Sequence, residues 1–106
     1  MKRTITVWYD EKRKEVEIEN DTLVVPEGVK RVYCYNNQLT ELKLPEGLAW
    51  VYCSYNRLRE LKLPEGIKRV YCYNNQLTEI KYYEGTDIYC DDGVTRTILP
   101  SSKGVK

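Results

Sequence analysis

Residues 26–43 read PEGVKRVYCYNNQLTELK, and residues 64–81 read PEGIKRVYCYNNQLTEIK. The two segments differ at only two positions, and both copies carry aliphatic residues there. Residues 45–62 between them, PEGLAWVYCSYNRLRELK, follow the same pattern, and a degenerate fourth copy, YEGTDIYCDDG, begins at Tyr83. The period is 19 residues. Self-similarity at this period indicates a repeat protein whose copies stack on one another.

Each copy contains a short stretch in which apolar residues alternate with tyrosine. In the first copy, Val32 and Cys34 alternate with Tyr33 and Tyr35, the period of a strand with one buried face. One such strand cannot bury its apolar face alone, so the copies are expected to form a parallel sheet over a shared core. Nineteen residues leave little room for a helix, and the backs of the turns are therefore predicted to be extended. The expected fold class is a mostly β solenoid.

The full pattern in each copy is apolar-x-x-apolar-x-Cys-x-x-Asn-x-Leu-x-x-Leu/Ile-x-apolar. It resembles the leucine-rich-repeat signature, with cysteine at the third apolar position, over residues 23–93. The short repeats and their Leu-Pro-Glu-Gly backs are similar to bacterial-type leucine-rich repeats, which occur in bacterial effectors and in small phage and prokaryotic proteins. The resemblance implies a leucine-rich-repeat solenoid with a parallel sheet on its concave face. It also implies that Asn37, Asn56 and Asn75 point inward and bond the backbone of the neighbouring turn.

In the effectors, such repeats recruit substrates for a separate ubiquitin-ligase domain. The 106 residues of this chain leave no room for one. The resemblance therefore implies recognition without ligase activity.

The two ends of the chain differ from the repeats. Residues 4–9, TITVWY, and 15–19, EVEIE, flank a polar turn and predict a β-hairpin that caps the N-terminal end. Val94–Leu99 is predicted to be a last strand, which Pro100 ends. The expected organisation is one domain, 1–106, with an N-terminal cap at 1–22, repeats at 23–93, a C-terminal cap strand at 94–100 and a tail at 101–106.

Residue types that support catalysis are scarce. Histidine is absent, and there is neither a glycine-rich phosphate loop nor a serine nucleophile elbow. The four cysteines recur once per repeat and form no Cys-x-x-Cys pair, so they are predicted to be small buried hydrophobes, neither disulfides nor zinc ligands. Asp91 and Asp92 offer too few carboxylates for a calcium site. We expect no enzymatic activity, no cofactor and no metal.

Charge and hydropathy limit the partners and the location. Lys and Arg total 17 against 16 Asp and Glu, a formal net charge of +1. Phosphate recognition relies on positive charge, so nucleic acid is a disfavoured partner. No apolar run approaches the ~18 residues of a membrane helix, and the N-terminal residues lack the apolar core of a secretory signal. A cytoplasmic protein without membrane contact is the default expectation.

The residues that alternate with the buried ones define a candidate binding face. They form a central column of tyrosines, a preceding column of Arg31, Trp50 and Arg69, and a following column in which Ser54 lies between two tyrosines. Tyr, Trp and Arg are the types enriched at binding hot spots, and Trp50 is placed for cation–π contact with both arginines. The predicted binding residues are Arg31, Tyr33, Tyr35, Trp50, Tyr52, Tyr55, Arg69, Tyr71, Tyr73 and Tyr89.

Three functions are consistent with this face. The favoured interpretation is a non-catalytic module that binds a protein or peptide. The first alternative is single-stranded nucleic acid, with bases stacked on the Arg and aromatic columns. The second is a structural or designed scaffold without a natural ligand, in which stacked tyrosines only shield the sheet. Association of copies into a homo-oligomer through terminal strands stays open as well.

Overall fold

The computed structural model describes residues 3–101, and the predicted tail after Ser101 lies outside them. Within this range every regular element is a β-strand, and no helix long and apolar enough to cross a membrane is present. The ten strands are β1 (Arg3–Trp8), β2 (Arg13–Ile18), β3 (Thr22–Val24), β4 (Arg31–Tyr33), β5 (Glu41–Lys43), β6 (Trp50–Tyr52), β7 (Arg69–Tyr71), β8 (Glu79–Tyr83), β9 (Asp87–Tyr89) and β10 (Thr95–Leu99).

The main sheet has six strands in the order β2-β1-β4-β6-β7-β9. Strands β4, β6, β7 and β9 come from successive repeats and pair in parallel. Val32, Val51 and Val70 are aligned across the first three of them. The chain is an all-β solenoid of about four turns, as the 19-residue period predicted.

Pro-Glu-Gly segments turn the chain before β4, β6 and β7, and Tyr83-Glu84-Gly85 does so before β9. In the first turn the amide of Val29 donates to the carbonyl oxygen of Pro26, and Gly28 has a φ of 89°. This is the arrangement of a type II turn, in which the third residue needs the left-handed region that glycine enters without a steric penalty. The same bond recurs from Leu48 to Pro45 and from Ile67 to Pro64. The repeated tripeptide therefore fixes where each turn of the solenoid begins.

The core is one continuous column of aliphatic side chains and thiols inside the turns. Val32, Val51 and Val70 are each 0% exposed. In the fourth turn Thr86 replaces the aliphatic residue of Val29, Leu48 and Ile67, and its hydroxyl donates to the carbonyl oxygen of Ile67 at 2.7 Å. The last turn therefore places a satisfied polar group at one core position, while Ile88 and Cys90 continue the apolar column.

The backs of the turns are extended, and parts of them pair into two small parallel sheets, β3 with β5 and β8 with β10. The predicted C-terminal strand exists as β10, but it does not extend the main sheet. It pairs with β8 on the back of the solenoid, Thr95 opposite Glu79. Consequently β9 is the last main-sheet strand within residues 3–101.

The N-terminal hairpin forms as the alternating pattern predicted. Strand β1 pairs antiparallel with both β2 and β4, so the hairpin covers the first turn. Ile5, Val7 and Ile18 are buried in the core. Arg3 reinforces the junction, because its guanidinium donates to the carbonyl oxygen of Asn37 at 2.7 Å and pairs with Asp21.

A candidate binding face

The outward face is defined here as the side chains of the main sheet that point away from the core. Its centre is a ladder of four tyrosines, one per turn. The ring centroids of Tyr33 and Tyr52 lie 4.8 Å apart, those of Tyr52 and Tyr71 4.7 Å, and those of Tyr71 and Tyr89 4.6 Å, all stacked. Burial and its tyrosine neighbours raise the pKa of Tyr52 above its usual value. The ladder is therefore a continuous aromatic surface at strand spacing.

Beside the ladder runs a row in which arginine and tryptophan alternate across the sheet. Arg31 lies 5.8 Å from the centroid of Trp50, and Arg69 lies 5.5 Å from it, as the sequence predicted. The row extends further than predicted. Trp8 on β1 lies opposite Arg31, 5.3 Å from its guanidinium, and Arg13 on β2 lies 5.8 Å from Trp8. Each indole therefore has a guanidinium on either side in the row.

Sequence reasoning missed Trp8 and Arg13 because neither belongs to a repeat. The predicted N-terminal hairpin did indicate that its residues lie next to the first repeat, because a strand of the hairpin has to pair with the first repeat strand in order to cap the sheet. The register of that pairing, Trp8 opposite Arg31, is set by the structure and could not be read from spacing. At the other end of the row, Asp87 on β9 lies directly opposite Arg69 in the strand register. It occupies the position where the alternation would place another tryptophan.

The third column and the strand exit beside it contain the most exposed aromatic residues. Tyr35 is 59% exposed and Tyr73 is 40% exposed, with Ser54 between them. The Ser54 hydroxyl accepts a hydrogen bond from the amide of Tyr73 at 3.0 Å. Tyr55, at the exit of the middle strand, is 60% exposed. The structure therefore places all ten predicted binding residues on or beside one face, and these three rings are its most accessible part.

The inward residues hold this face in register. The carboxamide oxygen of Asn56 accepts hydrogen bonds from the amides of Asn37 and Leu39, and its nitrogen donates to the carbonyl oxygens of Cys34 and Cys53. Asn75 repeats the arrangement one turn later. Asn37, in the first turn, instead donates to the carbonyl oxygen of Tyr35 within its own turn. The side chains of Asn56 and Asn75 thus link successive turns directly beneath the outward face.

The four thiols are free and buried beneath the same strands. Burial raises the pKa of Cys34 and of Cys72 to about 12, and raises that of Cys53 well above its usual value. Neutral buried thiols act as small hydrophobes. Among residues 3–101, no three His, Cys, Asp or Glu side chains are grouped so that they could hold a metal ion.

Tyr55 adopts a backbone conformation that its side chain disfavours. Its φ is 61°, and the equivalent positions in the flanking turns are Asn36 and Asn74, at 60° and 56°. Asparagine is enriched in the left-handed region, whereas a bulky residue there is strained by roughly 1–2 kcal/mol.

We predict that Tyr55→Asn raises the free energy of unfolding by about 0.5–1 kcal/mol, measured by urea denaturation. The reverse change, Asn74→Tyr, is expected to lower it; a loss of stability in Tyr55→Asn would mean that the ring makes a stabilising contact.

No protein-family model matches the chain, and searches of curated proteins and of solved structures find no match either.

Proposed function

We propose that this protein is a non-catalytic recognition module of the bacterial leucine-rich-repeat type, and that its outward face binds a protein or an extended peptide. The class is supported by one parallel strand per 19-residue repeat and by the carboxamides of Asn56 and Asn75, which bond the preceding turn. Both features follow the pattern that the leucine-rich-repeat signature implies.

The observation that carries the binding proposal is the group of exposed tyrosines beside the ladder. Tyr35, Tyr55 and Tyr73 are among the few large hydrophobic side chains left strongly exposed, and they surround Ser54. Tyrosine provides a large rigid contact area together with a hydroxyl for hydrogen bonding, so it is enriched at hot spots. Tyr55 also persists in a strained conformation. Strain of this kind is concentrated at functional sites.

Single-stranded nucleic acid is the second candidate, and the alternating Arg and Trp row favours it because bases stack on such side chains. The formal net charge of +1 weighs against it, since counterion release from phosphates supplies most of that affinity. A scaffold with no ligand is the remaining alternative, in which the tyrosine ladder contributes only to strand pairing.

The experiment that tests the binding proposal uses substitutions taken from the equivalent position of another repeat. Ser54 occupies the position of Tyr35 and Tyr73 in the middle turn, so Tyr35→Ser and Tyr73→Ser introduce a residue that this position accommodates. We predict that peptides selected from a random 12-residue display library on the wild-type protein bind the Tyr35→Ser/Tyr73→Ser variant about tenfold more weakly or worse, measured by biolayer interferometry.

The matched control is Ile98→Ser on β10, which removes an equally exposed side chain from the back of the solenoid. Selected peptides should bind this control as well as they bind the wild type. Failure to select any peptide, or equal loss in both variants, would refute the outward face as a peptide-binding site.

A further inference from the structure

The Arg and Trp row has a spacing that restricts the kind of partner. In the sheet order β2-β1-β4-β6-β7, Arg13, Arg31 and Arg69 lie on every second strand, with Trp8 and Trp50 on the strands between. Adjacent tyrosine rings in the parallel column are 4.6–4.8 Å apart, which gives the local strand spacing. Successive arginines in the row are therefore separated by about 9.5 Å, twice the usual distance between strands.

The guanidinium groups of this row are available to a ligand. Guanidinium is planar and its N–H donors lie in the plane. An aromatic ring next to a face of the group leaves those in-plane donors free. Within residues 3–101, Arg13, Arg31 and Arg69 make no ion pair or side-chain hydrogen bond. Arg13 and Arg69 are exposed and Arg31 is half-buried. The row thus presents three unpaired cations on the outward face, and a carboxylate is the side chain that matches the guanidinium fork.

A polyproline II segment repeats at the same distance. It has three residues per turn and a rise of about 3.1 Å, so side chains at every third position lie on one face about 9.3 Å apart. A β-strand does not match, because its side chains alternate and positions three apart point to opposite faces. The segment would run across the strands, along the axis of the solenoid.

The surroundings of the row suit the other residues of such a segment. Trp8 and Trp50 offer apolar surface between the arginines, and Tyr33 and Tyr52 lie on the adjacent ladder. Aromatic surfaces of this kind are how proteins bind proline-rich polyproline II peptides, at low entropic cost. Asp87 lies opposite Arg69 on the last strand of the main sheet, so the row of arginines ends at Arg69.

We infer that the outward face recognises a polyproline II segment with an acidic residue at every third position, three carboxylates pairing with Arg13, Arg31 and Arg69. This inference rests on the proposed function and names the chemistry of the partner. An acidic, proline-rich segment of another protein would carry it.

The test measures fluorescence anisotropy of fluorescein-labelled (Glu-Pro-Pro)4-amide at low ionic strength, where exposed charges are least screened. The comparison peptide is (Glu-Glu-Pro-Pro-Pro-Pro)2-amide, which has the same composition and charge but the wrong spacing. We expect the wild-type protein to bind the first peptide about fivefold tighter or better than the second, since only the first places carboxylates opposite all three arginines, whereas the second can reach at most two that are not adjacent in the row.

The protein variants give an independent measure. Arg31→Gln/Arg69→Gln is expected to weaken binding of (Glu-Pro-Pro)4 by about tenfold or more, because two charge-assisted contacts are lost. Arg59→Gln, an exposed arginine outside the row, should change it less than about twofold. Arg31→Lys/Arg69→Lys keeps the charge but not the fork, so intermediate affinity is expected. Circular dichroism at the assay temperature establishes that each variant is folded.

Equal affinity for the two peptides, or equal loss in Arg59→Gln, would overturn the inference. Tighter binding of a dT12 oligonucleotide than of (Glu-Pro-Pro)4 would overturn it in favour of nucleic acid. If (Glu-Pro-Pro)4 does not bind while the display library yields face-dependent peptides of other composition, the partner chemistry is wrong and the proposed function stands. If both experiments fail, the proposed function fails as well.

Discussion

Asn56→Ala is expected to lower the free energy of unfolding by about 4 kcal/mol, a large part of the stability of a domain of this size. The Asn56 side chain is 7% exposed and satisfies two backbone amides and two backbone carbonyl groups in two successive turns. Removing it leaves the amides of Asn37 and Leu39 and the carbonyl group of Cys34 without partners, whereas the carbonyl oxygen of Cys53 keeps its bond from Asn75. Each unsatisfied buried group costs about 1–3 kcal/mol. Urea denaturation followed by circular dichroism measures the loss.

Asn37→Ala is the matched control for this prediction. Asn37 occupies the same position in the first turn, is only half-buried, and its carboxamide donates to Tyr35 within the same turn. We expect this variant to lose about 1 kcal/mol or less, the usual net value of one hydrogen bond. Similar losses of unfolding free energy in the two variants would show that the hydrogen bonds of Asn56 between turns do not account for its contribution to stability.

Most of the fold follows from two features of the sequence. The 19-residue period places Val32, Val51 and Val70 at one position per turn, and the period-2 alternation around them requires a strand there. Repeated Pro-Glu-Gly segments predict the turns, because glycine is needed where φ is positive. Repetition makes these predictions robust, since an error in one copy would be visible against the others.

The strand pairings that could not be predicted involve segments outside the repeats. Val94–Leu99 has the composition of a strand, but composition does not say which sheet edge it joins, and β10 pairs with β8 on the back. Trp8 enters the Arg and Trp row only because β1 pairs with β4 in one register out of several. Such pairings depend on tertiary packing between segments with no shared pattern, so a local reading of the sequence contains no information about them.

The candidate face shows the same division. Columns made of repeated positions, such as Tyr33, Tyr52 and Tyr71, were predictable because in-register stacking fixes their neighbours. The conformation of Tyr55 was not, because its left-handed backbone is recognised only by comparison with the structure of Asn36 and Asn74. Tyr55 is also the residue at which the repeat pattern departs from asparagine at this position.

We predict that the protein loses stability as the pH rises above 9, because its thiols are buried. Because the pKa values of Cys34 and Cys72 are about 12 in the folded chain, against 9.0 for an ordinary thiol, the unfolded chain loses these protons first. Their contribution to stability is therefore complete below pH 9 and is lost as the pH rises toward 12. Each thiol is expected to cost about 1.4 kcal/mol per pH unit in that range.

Cys53, whose pKa is also raised by burial, makes the prediction specific to one side chain. Cys53→Ala should lower stability at pH 7 by about 1–2 kcal/mol through lost packing. It should also make the unfolding free energy fall less steeply with pH above pH 9, because one thiol whose pKa is raised by burial no longer titrates. Urea denaturation at pH 8, 9, 10 and 10.5 in a phosphine reductant measures both effects.

Val51→Ala is the control, because Val51 on β6 lies two residues before Cys53, is equally buried and does not titrate. It should lose stability while keeping the wild-type slope with pH, since all four thiols are retained. Comparison of the two variants therefore separates the stability lost through packing from the stability lost through ionisation of the thiol. An unchanged slope in Cys53→Ala would mean that this thiol ionises as readily in the folded chain as in the unfolded one, and hence that water reaches the inside of the turns.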